Sequence, residues 1–348
     1  MTHSIVGVDI GSESIRAVEI ESPGTPRAVI RRYGEYPLPD GAVESGKVVE
    51  LNTVATILKQ LWVSSGFRSK KIILGVGNAR TLVRDLTVPR AGARQIRLAL
   101  PFHVQELLTV PVADAILDFY PVSEGTDATG PVLHGLLVAA VKETVTANVA
   151  AAQLAGLTPV DVDLIPFALV RVQARAVRHE NVAFVDIGAR TTTIVVAVRG
   201  VPHFVRIIPT GGQDLTRALA EQLEILPEQA ETLKRTIGLH LPDDAGGHNV
   251  AAVAAIHDYS SDLLDGIRNT LNYFSNAHPE TPMDRILVSG GGGHLSGFLE
   301  VLREATMLPT SAPDPLSEIS FAPRFQHSPG DRPEVMAVAL GLALGRVA

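Results

Sequence analysis

The same short device occurs twice in this chain. Val8-Asp9-Ile10-Gly11-Ser12-Glu13-Ser14 closes one apolar run, and Val185-Asp186-Ile187-Gly188-Ala189-Arg190-Thr191-Thr192 closes another far along the chain. Each reads as a strand, then Asp, then Gly, then small hydroxyl residues, then a second strand. A hairpin of this kind turns its backbone N–H groups towards a phosphate. Glycine is needed where a side chain would block that approach. Ser or Thr adds a donor, and the Asp at the strand end suits a metal ion held through its water shell. A single Asp-x-Gly match reads as an ordinary tight hairpin. Two of them, each between β-rich runs, read as two clamps, and two clamps imply two lobes with a phosphate chain between them.

Composition fits that reading. A chain of 348 residues predicts two or three compact units. Hydrophobic residues make up 46% and charged residues 19%, which supplies sizeable cores and excludes global disorder. The net charge of -7, without a dense Lys/Arg stripe, argues against a nucleic-acid binder. There are no cysteines, which excludes a disulfide scaffold, a thiolate zinc site and a cysteine nucleophile. Met1-Thr2-His3-Ser4 leads into an apolar run interrupted by Asp9 and Glu13, unlike a signal peptide. The longest apolar stretch, Met336 to Leu344, is about half the roughly 20 residues that span a bilayer and predicts a buried Ala/Gly-rich helix. The expectation is a soluble, intracellular protein whose membrane role runs through a partner.

Pattern along the chain predicts strands at Ser4 to Ile10 and Arg16 to Glu21, a loop from Tyr33 to Gly46, and a strand at Lys71 to Val76. Leu51, Val54, Ile57, Leu58 and Leu61 have helical spacing, with Gly66 as the stop. From Val88 to Ala155 the signals alternate: helix at Gln95 to Val110, strand at Ala115 to Val122, turn at Gly125 to Pro131, strand at Val132 to Val141, helix at Thr144 to Ala155. That alternation predicts a small α/β module. Strands follow at Val182 to Ile187, Thr192 to Val198, His203 to Ile208 and Arg285 to Ser289. Helices are predicted at Leu215 to Ile225, Glu228 to Ile237, Val250 to Phe274 and Glu334 to Val347, with a polar loop at Pro242 to Asn249 and an irregular tract at Pro309 to Pro333.

A third element, Ile286-Leu287-Val288-Ser289-Gly290-Gly291-Gly292-Gly293, is a strand feeding a glycine-rich turn against which a flat base can lie. In the order clamp, clamp, glycine-rich turn, the chain resembles the actin, sugar-kinase and heat-shock-chaperone superfamily. The two Asp-Ile-Gly segments resemble its phosphate motifs, and Ser289 to Gly293 its adenosine motif. Met336 to Leu344 resembles the helix that connects its lobes, where small residues permit close packing. Gly211-Gly212-Gln213-Asp214-Leu215-Thr216 resembles the turn that opens its second lobe's small subdomain. Glu231 and Lys234, before Gly238, resemble its ribose- and adenine-contacting pair. On spacing alone they read as a solvated i,i+3 pair.

Within that superfamily the resemblance narrows to the PilM family, the actin-like proteins of type IV pilus assembly, and next to the cell-division protein FtsA. It covers essentially the whole chain. It rests on Gly7 to Ser12 with Arg16, on Val88-Pro89, Leu100 to Leu107 and Val110-Pro111, and on Asp163 to Leu169 with Arg171. It implies an α/β, two-lobed actin-like (ribonuclease-H-like) ATPase fold with an inserted small α/β module. The implied parts are a first-lobe core (1–87, 156–180 and 333–348), the module (88–155), a second-lobe core (181–210 and 285–332) and its small subdomain (211–284). ATP with Mg2+ is implied between the lobes. Its contacts would be Asp9, Gly11, Ser12, Ser14, Arg16, Asp186, Gly188, Ala189, Thr191, Thr192, Gly211, Gly212, Glu231, Lys234, Gly290, Gly291 and Gly292, with Asp9 and Asp186 holding the metal through water.

The implied partner is the cytoplasmic N-terminal peptide of a PilN-like inner-membrane protein, which would keep the chain at the inner face of the membrane. Other pilus-assembly components and self-association are compatible with the family. Phe102, Leu107 and Leu108 are candidates for the partner groove, although core packing is the simpler reading of any one of them. Many PilM-like sequences carry Glu at the position of Ile165, which cannot polarise a water as a carboxylate does. The expectation is therefore at most slow hydrolysis. Asp163 is the nearest alternative acid, and as a strand-end or capping residue it has a simpler role. Two alternatives stand: an FtsA-like protein, which would continue beyond Arg346-Val347-Ala348 into a tail and a membrane-targeting helix, and a metabolic kinase, which would need a catalytic base in the first lobe.

Overall fold

A computed structural model of the protein describes residues 4–25, 28–128, 130–173, 177–239, 247–316, 319–322 and 333–345. The chain forms two compact units, Met1–Arg178 with Gly200–Val205 and Asp314–Ala348, and His179–Arg199 with Arg206–Pro313.

The first unit opens with β1 (Ser4–Ile10), β2 (Ser14–Glu21), β3 (Val29–Pro37), the short pair β4 (Val43–Glu44) and β5 (Lys47–Val48), helix α1 (Leu51–Ser64) and β6 (Lys71–Val76). It continues with β7 (Leu82–Pro89), α2 (Ala93–His103), β8 (Ala115–Asp127), β9 (Gly130–Val141), α3 (Lys142–Leu154), β10 (Thr158–Leu164) and α4 (Ile165–Gln173). Helix α1 lies where its apolar spacing predicts it. It buries Val54, Ala55, Ile57, Leu58 and Leu61, and Gly66 ends it at φ +66°, a conformation glycine adopts without Cβ strain.

After the first unit come β11 (Asn181–Ile187), β12 (Thr192–Val198), β13 (Val201–Ile208), whose residues 201–205 group with the first unit, and then the second unit's α5 (Gly212–Leu223), α6 (Pro227–Ile237), α7 (Gly247–Ala277), β14 (Arg285–Ser289), α8 (Phe298–Thr306) and β15 (Thr310–Ser311). The first unit then resumes with β16 (Ser320–Phe321) and α9 (Ala337–Leu344).

The main sheets repeat one plan. The first runs β10-β6-β1-β2-β3-β16 and the second β13-β12-β11-β14-β15. In each, the strand that ends in Asp-Ile-Gly pairs antiparallel with the next strand and parallel with a later one on its other side. Strands β1 and β11 are therefore central, and their apolar runs are covered on both faces, as uninterrupted hydrophobic strands require. Val6 and Val8, and likewise Val182 and Val185, are fully buried.

The three-stranded sheet, β7-β9-β8, is the small module. Helix α2 covers it through Ile96 and Leu100, which pack with Val88, Val104 and Leu137. Helix α3 packs elsewhere: its Ala151 and Ala152 join Val6, Leu58 and Leu74 in the core of the six-stranded sheet. Tyr120 of β8 packs against Phe167 of α4 with its ring tilted and 4.7 Å between centroids, which ties the module to the segment leading out of the first unit.

Several local expectations are corrected. The predicted loop from Tyr33 contains most of β3, paired along its length with β2. Gly34 misled the pattern. A Cβ there would come within 2.1 Å of Ser65 Oγ and 2.8 Å of Leu61 Cδ1, so the glycine lets α1 lie close to the strand rather than marking a loop. The helix predicted to reach Val110 stops at His103, two residues after Pro101. The expected turn at Gly125 to Pro131 is narrower, because the β8–β9 ladder continues to the pair Asp127–Gly130. Strand β10 and helix α4 had no pattern-based expectation. The C-terminal helix begins as a 3-10 turn, Pro333–Met336, before α9. Most of the predicted loop Pro242 to Asn249 lies outside the described residues, as do much of the Pro309 to Pro333 tract and Arg346, Val347 and Ala348.

Helix α9 is apolar on all sides and buried throughout Ala337 to Ala343, as an all-round hydrophobic helix requires. Two glycines admit it. A Cβ at Gly7 of β1 would lie 2.0 Å from Ala339 O, and one at Gly341 would lie 2.0 Å from Ala168 O.

Candidate functional site

The two hairpins close by the same bond. Gly11 N donates to Ser14 O at 3.0 Å and Gly188 N donates to Thr191 O at 2.9 Å. A Cβ at Gly11 would lie 2.9 Å from Ser14 O and one at Gly188 would lie 3.2 Å from Thr191 O. The closing contact leaves no room for a Cβ at Gly11 and only tight room at Gly188. Asp9 faces Arg16 across the first ladder, and Asp186 faces Thr193 across the second.

In the first hairpin the polar side chains gather on a residue that pattern reading missed. Ser14 Oγ donates to Glu35 Oε1 at 2.8 Å, Arg16 Nε to the same oxygen at 2.9 Å, and Tyr33 Oη to Glu35 Oε2 at 3.1 Å. Burial would raise the Glu35 carboxyl. The charge of Arg16 and the bonds from Ser14, Tyr33 and Arg16 outweigh burial and hold it below the usual carboxylate range. Arg16 Nη1 is also 3.9 Å from Asp9 Oδ2. Ser14 and Arg16, both candidate ligand contacts, are thus tied to Glu35, while Gly11 and Ser12 are half-buried at the turn. Glu35 was legible only through the alternation of β3, which Gly34 and the charged residues obscured.

In the second unit three glycine-bearing segments converge. Gly212 N donates to Gly188 O at 2.9 Å and Gln213 N to Ala189 O at 2.7 Å, so the start of α5 rests on the hairpin turn. Gly211 is obligatory there, since a Cβ would come within 2.6 Å of both Gly188 O and Ala189 O. Gly292 joins from the other side: a Cβ on Gly212 would lie 3.7 Å from Gly292 Cα. Gly290 sits at φ +83° with no room for a Cβ beside Ile187 O, whereas a Cβ at Gly291 would meet nothing within 4 Å. The result is a floor of bare backbone.

Polar side chains frame this floor. Ser289 Oγ donates to Asp186 Oδ1 at 2.7 Å. Thr192 is fully buried and donates to Thr210 O at 2.8 Å, so its hydroxyl fixes the hairpin against the approach to α5. Tyr259 Oη donates to Gly211 O at 2.8 Å. Burial and the nearby Asp214 carboxylate raise the Tyr259 phenol well above its ordinary value, so it stays a donor. Lys234 Nζ reaches Gly212 O at 3.0 Å, Thr216 Oγ1 at 2.8 Å and Glu231 Oε2 at 2.5 Å. For Glu231, burial raises the carboxyl. Hydrogen bonds from Lys234, Thr216 and Arg235 overcome this and bring it down to about 2. Glu231 and Lys234 are therefore a built network on α6, anchored to the Gly212 turn, rather than a solvated pair.

Asp163 is 3% exposed. Its Oδ2 accepts from Arg171 Nη2 at 2.7 Å and its Oδ1 from Leu164 N at 2.8 Å. Arg171 also donates to Gly341 O at 2.5 Å, so the pair joins β10, α4 and α9. The candidate acid is a buried structural ion. Ile165 packs in the cluster of Ala168, Leu169 and Leu342. In the module, Leu107 and Leu108 pack partly against the α2 core. Phe102 is 84% exposed, with Leu98 one helical turn earlier at 67%.

A family model described as Type IV pilus assembly protein PilM matches residues 7–347. This chain belongs to the PilM family. A solved structure titled PilM-PilN type IV pilus biogenesis complex is similar at 25% identity and TM-score 0.83, over 99% of this chain and 98% of that one. The cell division protein FtsA of Bacillus subtilis is 25% identical over 274 residues, which is 72% of this chain and 62% of FtsA. MreB 5 of Spiroplasma citri, solved bound to AMPPNP, shares the fold at 12% identity and TM-score 0.53, over 98% of this chain and 95% of MreB 5. The PilM-family chain thus has the actin-like α/β fold, with the β7-β9-β8 module set into its first unit. Among the described residues no helix is long and apolar enough to cross a membrane, and no group of three or more His, Cys, Asp or Glu is placed to hold a metal ion.

Proposed function

We propose that this protein is a nucleotide-binding scaffold of type IV pilus assembly, held at the inner face of the membrane by the cytoplasmic tail of a PilN-like protein. Family membership over residues 7–347 carries this reading. It is supported by the similarity, at TM-score 0.83, to a chain solved in a PilM-PilN complex.

The geometry suits a nucleotide. Phosphates need close backbone approach and N–H donors, and the glycine turns at Gly11–Ser12 and Gly188–Thr191 suit such an approach. The bare floor of Gly211, Gly212, Gly290, Gly291 and Gly292 leaves room for a flat base or sugar, with Lys234 and Glu231 at its border. Each hairpin has a strand-end carboxylate, Asp9 or Asp186, of the kind that suits Mg2+, since a Mg2+ that rides on phosphates keeps several waters and needs only one or two carboxylates. When bound, the metal would neutralise phosphate charge. The chain's own part is to orient the nucleotide through backbone N–H groups and to hold Asp186 in place through Ser289.

For the partner, the exposed face of α2 is the candidate. Phe102 and Leu98 present apolar surface that the module core leaves uncovered, and Leu107 and Leu108 lie partly packed beside that core. A nucleotide-dependent change in this surface would make docking respond to the bound state.

The test is co-purification of the chain with a PilN-like inner-membrane protein, with and without Mg-ATP. Association that strengthens with nucleotide and is lost in Phe102→Asp supports the reading. Association with a cell-division membrane protein instead would favour the FtsA-like alternative.

A further inference from the structure

Arg190 lies at the tip of the second hairpin turn, between Gly188 and Thr191, and it is half-buried. Its Nε donates to Gln213 Oε1 at 2.7 Å. The same Gln213 binds the turn through its backbone, donating from N to Ala189 O at 2.7 Å. One residue therefore fixes both the turn and the plane of the guanidinium it carries.

What this arrangement lacks is a counter-charge. Among the described residues the one polar contact of the Arg190 side chain is the Nε bond to Gln213, with no carboxylate within 4.0 Å and no hydrogen-bond partner for its two terminal nitrogens. The other cations of this region are neutralised. Lys234 and Arg235 share Glu231, and Arg217 pairs with Asp214. An arginine held in one orientation by a neutral amide, with its remaining donors open, is a preorganised receptor for a pair of anionic oxygens. Immediately beside it lies the glycine floor, where no side chain of Gly211, Gly212 or Gly292 competes for the space.

We propose that Arg190 reads the terminal phosphate of a nucleoside triphosphate and so distinguishes it from the diphosphate, with Gln213 as its positioning residue. This rests on the nucleotide reading above and deepens it. The physical reason is charge. The terminal phosphoryl group carries about two negative charges near neutral pH, as a phosphomonoester does, whereas each internal one carries a single charge. An uncompensated guanidinium gains most by meeting the former.

The experiment measures affinity for ADP and for AMPPNP, each with Mg2+, in the wild type, Arg190→Ala, Arg190→Lys and Gln213→Ala. The expected result is a loss of at least about tenfold for AMPPNP in Arg190→Ala, the scale of a hydrogen-bonded charge contact, with ADP changed less than about twofold. Arg190→Lys keeps the charge but cannot keep the Nε bond, and is expected to recover only part of the preference. Gln213→Ala should lower the AMPPNP to ADP ratio without abolishing binding. Melting temperatures without nucleotide should match across the set, because Arg190 closes no internal ion pair. Equal losses for both nucleotides, or none for either, would overturn the role of Arg190 while leaving nucleotide binding intact. A wild type that binds neither nucleotide would overturn both readings.

Discussion

Ser289 Oγ donates a 2.7 Å hydrogen bond to Asp186 Oδ1, and the two residues face each other in register across the parallel strands β14 and β11. The glycine-rich turn and the second hairpin are therefore joined by a side-chain bond at the point where each begins. If Asp186 holds Mg2+ as proposed, Ser289 acts as an outer partner that fixes its orientation. Ser289→Ala is expected to lower Mg2+-dependent nucleotide affinity by about tenfold, as loss of such outer partners typically does. Nucleotide binding measured in EDTA should be nearly unchanged. Titration of a fluorescent nucleotide with and without Mg2+ checks this, and equal effects in both conditions would reject it.

The closing helix depends on two contacts that admit no side chain. A Cβ at Gly341 would sit 2.0 Å from Ala168 O, and that atom is rigid helix backbone. Gly341→Val is expected to force α9 away from α4 and to destabilise the first unit by about 1–3 kcal/mol or more, the range for overpacked cores. Urea denaturation measures this. A change below about 0.5 kcal/mol, typical of neutral surface positions, would show that the helices can separate freely.

Asp163 and Arg171 form a pair whose side chains are 3% and 11% exposed. Removing one member leaves an uncompensated buried charge, at a cost of roughly 3–5 kcal/mol. Arg171→Met should therefore lower the unfolding free energy by about that amount. Asp163→Asn should destabilise as well. If Asp163 instead served as a base, Asp163→Asn would keep its stability and lose only nucleotide turnover, and thermal melts alongside phosphate release separate the two.

Glu231 gives a pH signature. Its carboxyl is lowered from 4.5 to about 2 in the folded protein. A depressed carboxyl contributes stability that is present above its unfolded value and is lost as pH falls through the folded one. The advantage of the wild type over Glu231→Gln is therefore expected to be full above pH 5 and to shrink between about 4.5 and 2. Melting curves of both proteins at stepped pH check the sign, and a gap that widens on acidification would contradict it.

Phe102 and Leu100 lie close together on α2 but should behave oppositely. Leu100 is 1% exposed and Phe102 is 84% exposed. Leu100→Ala should cost about 2–5 kcal/mol of stability. Phe102→Asp should stay within about 0.5 kcal/mol and weaken capture of the PilN-like tail. Stability measurements and a peptide-binding titration on the two variants distinguish a packing role from a docking role.

The parts of this protein that could be read in advance are those where chemistry is local. A tight hairpin turn closed by a backbone bond places a glycine just after a strand, and Gly11 and Gly188 mark the two turns. The stripe of α1 is visible because 3.6-residue periodicity lies within one segment. Composition also bounded the chain, through its lack of cysteine. Other residues have their reason elsewhere in the chain. Gly34 resembles a loop residue until α1 lies over it, and Glu35 gains its role only when β3 pairs with β2 and brings it to Ser14 and Arg16. Asp163 is an acid in sequence and a buried structural ion once α4 and α9 close on it. Phe102 and Leu100 are equally apolar, yet only the direction of α2 decides which is covered. Arg190 becomes a bare, oriented cation only because α5 delivers Gln213 to the turn. Backbone geometry is dictated by neighbouring residues, so it is written locally. The pairing of charges and the covering of surfaces depend on register and packing between distant segments, and those exist only in the folded chain.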